Sequence, residues 1–140
     1  MRHRQTSFGK ASIYFAKYLL LTSSRPDLTV AEHIRIFSHL KCTSAVNAEV
    51  ISELVRMCDL ENKLPFKAKT LSGGQKRKLQ LAMMFAGGSK VCCVDEVSTG
   101  LDPISRRHIW EILLAERSRR TIIMTTHFLD EAVSHSYCYA

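Results

Sequence analysis

Two short apolar runs bracket a stretch of helical periodicity, and few folds accommodate that order. The first, Val91–Val94, is uniformly apolar and β-branched at its ends, as a strand buried on both faces should be. The second, Thr121–Thr125, is of the same kind. Between them Asp102 can cap a helix with Pro103 at its first position. Ile109, Ile112, Leu113 and Glu116 then follow at helical spacing, only the last being polar. Strand, crossover helix, strand predicts a βαβ unit with a parallel sheet. Asp95–Glu96 and His127 end the two strands, at the carboxyl edge where open α/β sheets bind ligands.

Upstream, the period is helical throughout. Thr29 and Glu32 form a capping-box pattern before Val30, Ile34, Phe37 and Leu40. A second helix places Val50, Leu54, Val55 and Cys58 on one side, and Pro65 ends the pattern that follows it. A third begins within Leu71–Gly88 and stops at Gly87–Gly88. Phe128–Val133 should start another. The expected organisation is an irregular N-terminus over 1–27, a helical part over 28–88 and an α/β part over 89–140.

The chain has 140 residues, enough for one domain, and a net charge of +7 that favours anionic partners. Five cysteines without a CxxC pair indicate reduced thiols, with neither a disulfide framework nor a zinc site. No apolar run has the length of a membrane span; the longest, Ile13–Thr22, is interrupted by Lys17. Residues 1–26 lack acidic side chains, which is also the pattern of an organelle-targeting segment. Lys76–Lys78, Arg106–Arg107, Arg117 and Arg119–Arg120 are not interleaved with aromatics and read mostly as solvated helix surface, so no nucleic acid is expected. His33 and His39, six apart, do not share a helix face, and Met83–Phe85 reads as core.

Two segments carry chemistry. Adjacent carboxylates at a strand tip, Asp95 and Glu96, suit a hydrated Mg²⁺ and an attacking water; capping or surface exposure is the plainer account of the dipeptide alone. Leu71–Lys78 (LSGGQKRK) places Ser72, Gly73 and Gly74 at a helix start, where free amides and the dipole favour a terminal phosphate. A glycine-rich loop before a helix is the plainer account there.

Together these strings resemble the ATP-binding cassette (ABC) ATPases. LSGGQ resembles the signature motif, VCCVDE the Walker B strand with its glutamate, STGLD the D-loop, and Thr125–His127 the switch-histidine loop. Their order and spacing fit as well: 24 residues separate Leu71 from Asp95, and 32 separate Asp95 from His127. LTVAEHI and DEVSTGLDPISRRHIWEIL are most similar to transporters of subfamily A, which are associated with lipid movement. The resemblance implies an α/β fold, a partial P-loop NTPase-type parallel sheet with a helical signature subdomain. It implies ATP and Mg²⁺ as cofactors. Ser72, Gly73, Gly74 and Gln75 would meet the γ-phosphate held by an opposite cassette, Asp95 would bind Mg²⁺, and Glu96 would act on the water. Asp102 would reach across the dimer interface, and His127 would contact the γ-phosphate. The implied partners are a second cassette, packed head-to-tail, and the transmembrane domains of a transporter, at the cytoplasmic face of a membrane.

Departures from the pattern are informative. Val97 replaces the family's usual proline. No GxxxxGK[ST] phosphate loop occurs; Phe8–Ser12 (FGKAS) offers Gly9–Lys10 but has Ala11 after the lysine. The loop expected to end in Pro-Gln is absent, Leu19–Ser24 standing in its place. The missing phosphate-loop strand would lie beside the His127 strand, leaving an apolar edge open to pairing or aggregation. Two other functions are weighed: a soluble ABC-type ATPase acting on DNA or ribosomes, and a non-catalytic fragment that donates its signature surface.

Overall fold

The computed structural model describes residues 13–15 (as backbone), 25–41 and 48–128. FGKAS, the 19–24 loop and the helix expected beyond Phe128 lie outside them. Three strands form one parallel sheet in the order β1-β2-β3: β1 is Ile13–Phe15, β2 Val91–Asp95 and β3 Thr121–Thr125. The β2–β3 register sets Val91 opposite Thr121 and Asp95 opposite Thr125, so the carboxylate and the threonine share one sheet edge. The expected βαβ unit is therefore present. β1, pairing Ile13 with Val91, falls in a stretch read as irregular; three residues that must borrow their ladder from β2 leave little periodic signal.

Among the described residues four α-helices accompany the sheet: α1 Val30–Lys41, α2 Ala48–Met57, α3 Gly73–Phe85 and α4 Pro103–Glu116. The first cap is as expected. The Thr29 N–H donates to Glu32 Oε2 at 2.7 Å and the Glu32 N–H to Thr29 Oγ1 at 3.3 Å. From Lys78 onward α3 is buried on nearly every side, which makes it the central helix. A single hydrophobic cluster runs from Val30 and Ile34 through Leu79 and Met83 to Cys92, Val94 and Ile109, so the helical and α/β parts share one core.

The apolar stripes are narrower than the sequence suggested. Leu40 is 73% exposed and Val50 59% exposed. Both lie in a terminal turn of their helix, Leu40 in the last turn of α1 and Val50 in the first turn of α2. Conversely, two basic residues assigned to a solvated surface are inside. Lys78 reaches Asp59 Oδ2 at 2.8 Å, and Arg120 is 12% exposed against Glu116, itself 2% exposed. Among the described residues β3 pairs only with β2, and Ile123 on it is 55% exposed.

The end of α3 is locked by Lys41. Its ammonium donates to the carbonyls of Met83 and Met84 at 2.8 and 2.7 Å, and Gly87 turns the chain at φ 75°. A Cβ on Gly87 would lie 2.3 Å from Lys41 Cβ. Burial lowers the Lys41 pKa from 10.5 to about 8. The folded state thus holds that proton less tightly than the unfolded chain, so this group adds stability as pH rises from about 8 toward 10.5. Burial raises the Cys58 thiol from 9.0 to about 12, which removes stability above pH 9. The urea midpoint of the chain should climb between pH 8 and 9 and level or fall beyond. Lys41→Met should abolish the climb and keep the fall; an unchanged profile would refute the assignment.

Candidate functional site

The carboxyl edge of the sheet gathers three of the expected residues. Asp95, the last residue of β2, accepts a short hydrogen bond from the Thr125 hydroxyl across the ladder. The Glu96 N–H donates to the Thr125 carbonyl at 3.0 Å, one step past the strand. Glu96 itself has φ 46°, a left-handed conformation that a non-glycine residue adopts at a cost of ~1–3 kcal/mol. This backbone carries its carboxylate to His127, where Oε1 lies 3.3 Å from Nδ1. The Thr99 N–H donates to the Glu96 carbonyl at 3.1 Å, and its hydroxyl makes a long 3.5 Å approach to Oε2. Both Glu96 and His127 are half-exposed, open to a reactant.

A second group assembles where α3 meets α4. Ser72 caps α3 with a full box: the Gln75 N–H donates to Ser72 Oγ at 3.3 Å, and the Ser72 N–H donates to Gln75 Oε1 at 3.0 Å. Both side chains, expected to face a phosphate directly, are thus engaged with the helix. The box leaves Gly73 and Gly74 as the first-turn N–H donors that it does not use. The two glycines serve different purposes. Around Gly73 there is open space, whereas a Cβ on Gly74 would sit 2.6 Å from Ser105 Oγ. Gly74 is therefore required by packing against the first turn of α4. Asp102 caps that helix, accepting from the Ser105 N–H at 3.0 Å. Hydrogen bonds from Ser105, its hydroxyl first and then its N–H, hold the Asp102 carboxyl below the ordinary carboxylate range. The signature glycines and Asp102 are in this way brought together through Ser105.

The residues present fit the groups they would hold. Mg²⁺ takes hard oxygen ligands, keeps several waters and needs only one or two carboxylates. Asp95, half-buried at the sheet edge, supplies one, and no cluster of three or more His, Cys, Asp or Glu that could cage a metal occurs among the described residues. A terminal phosphate suits the paired glycine amides at the positive end of a 13-residue helix. From sequence, Thr125 and Thr99 were read only as members of their motifs and given no role of their own, and Ser105 was missed. Each is significant only through a partner that the register or the α3–α4 packing supplies.

The chain is similar in sequence and fold to known proteins. The family model described as "AAA domain, putative AbiEii toxin, Type IV TA system" matches residues 9–129. The chain is 43% identical over 107 residues to the mouse (Mus musculus) "Phospholipid-transporting ATPase ABCA3", covering 76% of this chain and 6% of that protein. It is 49% identical over 106 residues to the mouse "Retinal-specific phospholipid-transporting ATPase ABCA4", covering 75% and 5%. The chain thus spans about a twentieth of these relatives. Among solved structures it is similar to "Dimeric structure of a post-hydrolysis state of the ATP-binding cassette MJ0796 bound to ADP and Pi". That match has a TM-score of 0.69 and 25% identity, and covers 84% of this chain and 53% of that one.

Proposed function

The chain belongs to the ATP-binding cassette nucleotide-binding domains of subfamily A type, its residues 9–129 matching the AAA-domain model, and from that premise we propose that it forms the signature and water-activating part of a cassette whose ATP hydrolysis drives the transport of lipid. The observation that carries the reading is the Glu96–His127 pair, 3.3 Å apart at the tip of a parallel strand and adjacent to Asp95. Phosphoryl transfer asks a protein mainly for positioning and charge stabilisation. Glu96 is oriented to accept a proton from water, and its strained backbone holds the carboxylate clear of the ladder. His127, two residues past the end of the next strand, faces the same point and can donate to a phosphate oxygen. Asp95, fixed by Thr125, would hold Mg²⁺, which when bound neutralises phosphate charge.

The Gly73 and Gly74 amides would meet the γ-phosphate of an ATP cradled by a second, head-to-tail cassette. Ser72 and Gln75 would join them by releasing their capping box. Asp102, beside Gly74 through Ser105, would extend to the same interface. No helix among the described residues is long and apolar enough to cross a membrane. Membrane attachment, at the cytoplasmic face, would come through transmembrane domains.

The test is complementation. The 140 residues contain no GxxxxGK[ST], so Mg-ATP should bind the chain alone weakly. Mixed with an intact subfamily A cassette whose own signature has been disabled, the chain should restore hydrolysis. Gly74→Val, which drives a branched side chain into Ser105, should not restore it. Equal rates with and without the chain would refute the proposal.

A further inference from the structure

The switch-type histidine is not held by its backbone alone. Its ring lies 4.3 Å, centroid to centroid, from the ring of Phe128, tilted by 34°. On Phe128 sits the guanidinium of Arg106, its carbon 4.3 Å from the ring centroid, well inside cation–π range. The Phe128 N–H donates to Thr126 Oγ1 at 3.1 Å, which closes the turn and sets the ring's direction. Arg106 is anchored on α4, and its N–H donates to the carbonyl of Asp102 at 2.9 Å, the first hydrogen bond of the helix. A continuous line of contacts thus runs from the Asp102 cap through Arg106 and Phe128 to His127 and on to Glu96.

We propose that Arg106 is a positioning residue: by clamping Phe128 it fixes the His127 ring against Glu96 and ties its placement to the Asp102 end of α4. The inference rests on the functional reading above and adds a regulatory link to it. A half-exposed imidazole can rotate among several rotamers. Phe128 removes that freedom only if its own ring is fixed, and Arg106 provides this from a rigid helix. Displacement of the Asp102 segment on docking of a second cassette is then transmitted to the histidine by face contacts.

The whole 140-residue chain is examined by NMR, with the His127 ring protons assigned from the spectrum of His127→Gln. In the native chain they should be displaced by the Phe128 ring current. Arg106→Met, which keeps the stem and removes the charge, should lose that displacement, and Arg106→Lys should retain it. When a phosphate-loop half of a subfamily A cassette is added to complete the chain's own ATP site, Arg106→Met should lower kcat about tenfold or more with KM for ATP nearly unchanged, and Arg106→Lys should recover the rate. Phe128→Leu keeps apolar volume and should reproduce the kcat loss, which decides the matter if Arg106→Met does not fold. Unmoved His127 signals in folded Arg106→Met, or full kcat in Phe128→Leu, would overturn the clamp. The NMR result needs no nucleotide, so absence of hydrolysis with a positive NMR result rejects the functional reading and leaves the clamp standing.

Discussion

Arg120→Met is expected to cost about 3–5 kcal/mol of unfolding free energy, as breaking one side of a buried ion pair generally does. Arg120 Nε lies 2.5 Å from Glu116 Oε2, and the two meet as charges outside good hydrogen-bond geometry. The same guanidinium donates to the carbonyls of Phe85 and Ser89 at 3.2 and 3.1 Å and covers the Phe85 ring at 4.6 Å. It therefore ties the end of α4 to the exit of α3 just before β2 begins. Removing it leaves a carboxylate that is 2% exposed with only the outlying Arg119, 3.7 Å away, to balance it. A domain of this size has ~5–15 kcal/mol to lose. Urea unfolding should show the drop directly. The double variant Glu116→Leu/Arg120→Met should recover part of it, because no buried charge remains. Recovery should stop short of the native value, since an orphaned carbonyl costs ~1–3 kcal/mol. A single variant within ~1 kcal/mol of native would mean that the network adds nothing net.

The second large effect is catalytic. When a phosphate-loop half of a subfamily A cassette is added to complete the chain's own ATP site, Glu96→Gln should reduce turnover by ~10²–10⁴-fold, the usual contribution of a positioned general base. The amide keeps the size of the carboxylate and the backbone turn at φ 46°, while losing the negative charge that faces His127. The urea midpoint should therefore stay close to that of the native chain, which separates loss of chemistry from loss of fold. Retained turnover in Glu96→Gln would remove Glu96 from the mechanism and leave its backbone strain without a catalytic reason.

Much of this molecule is legible along the chain, for reasons that are local. Thr29 and Glu32 bond within one turn, Ser72 and Gln75 likewise, and Asp102 caps the helix that Pro103 opens. The apolar runs of β2 and β3 need only their own composition to be recognised as strands, and Asp95, Glu96 and His127 are found by their place at the strand ends. What stayed hidden depends on partners distant in sequence. Whether Arg120 and Lys78 face water is decided by Glu116, Phe85 and Asp59. Gly74 reads as a phosphate contact from its motif, yet only Ser105 beside it shows that packing demands it too.

Spacing and residue type, read in order, specified the elements, their caps and the carboxylate-tipped strand, because hydrogen bonds within a turn and alternation along a strand are properties of neighbouring residues. Tertiary structure alone decided that Ile13–Phe15 completes the sheet, that buried charges join α3 to α4, and that Arg106 reaches His127 through Phe128. Those are through-space interactions, whose strength depends on distance and burial that no local pattern encodes.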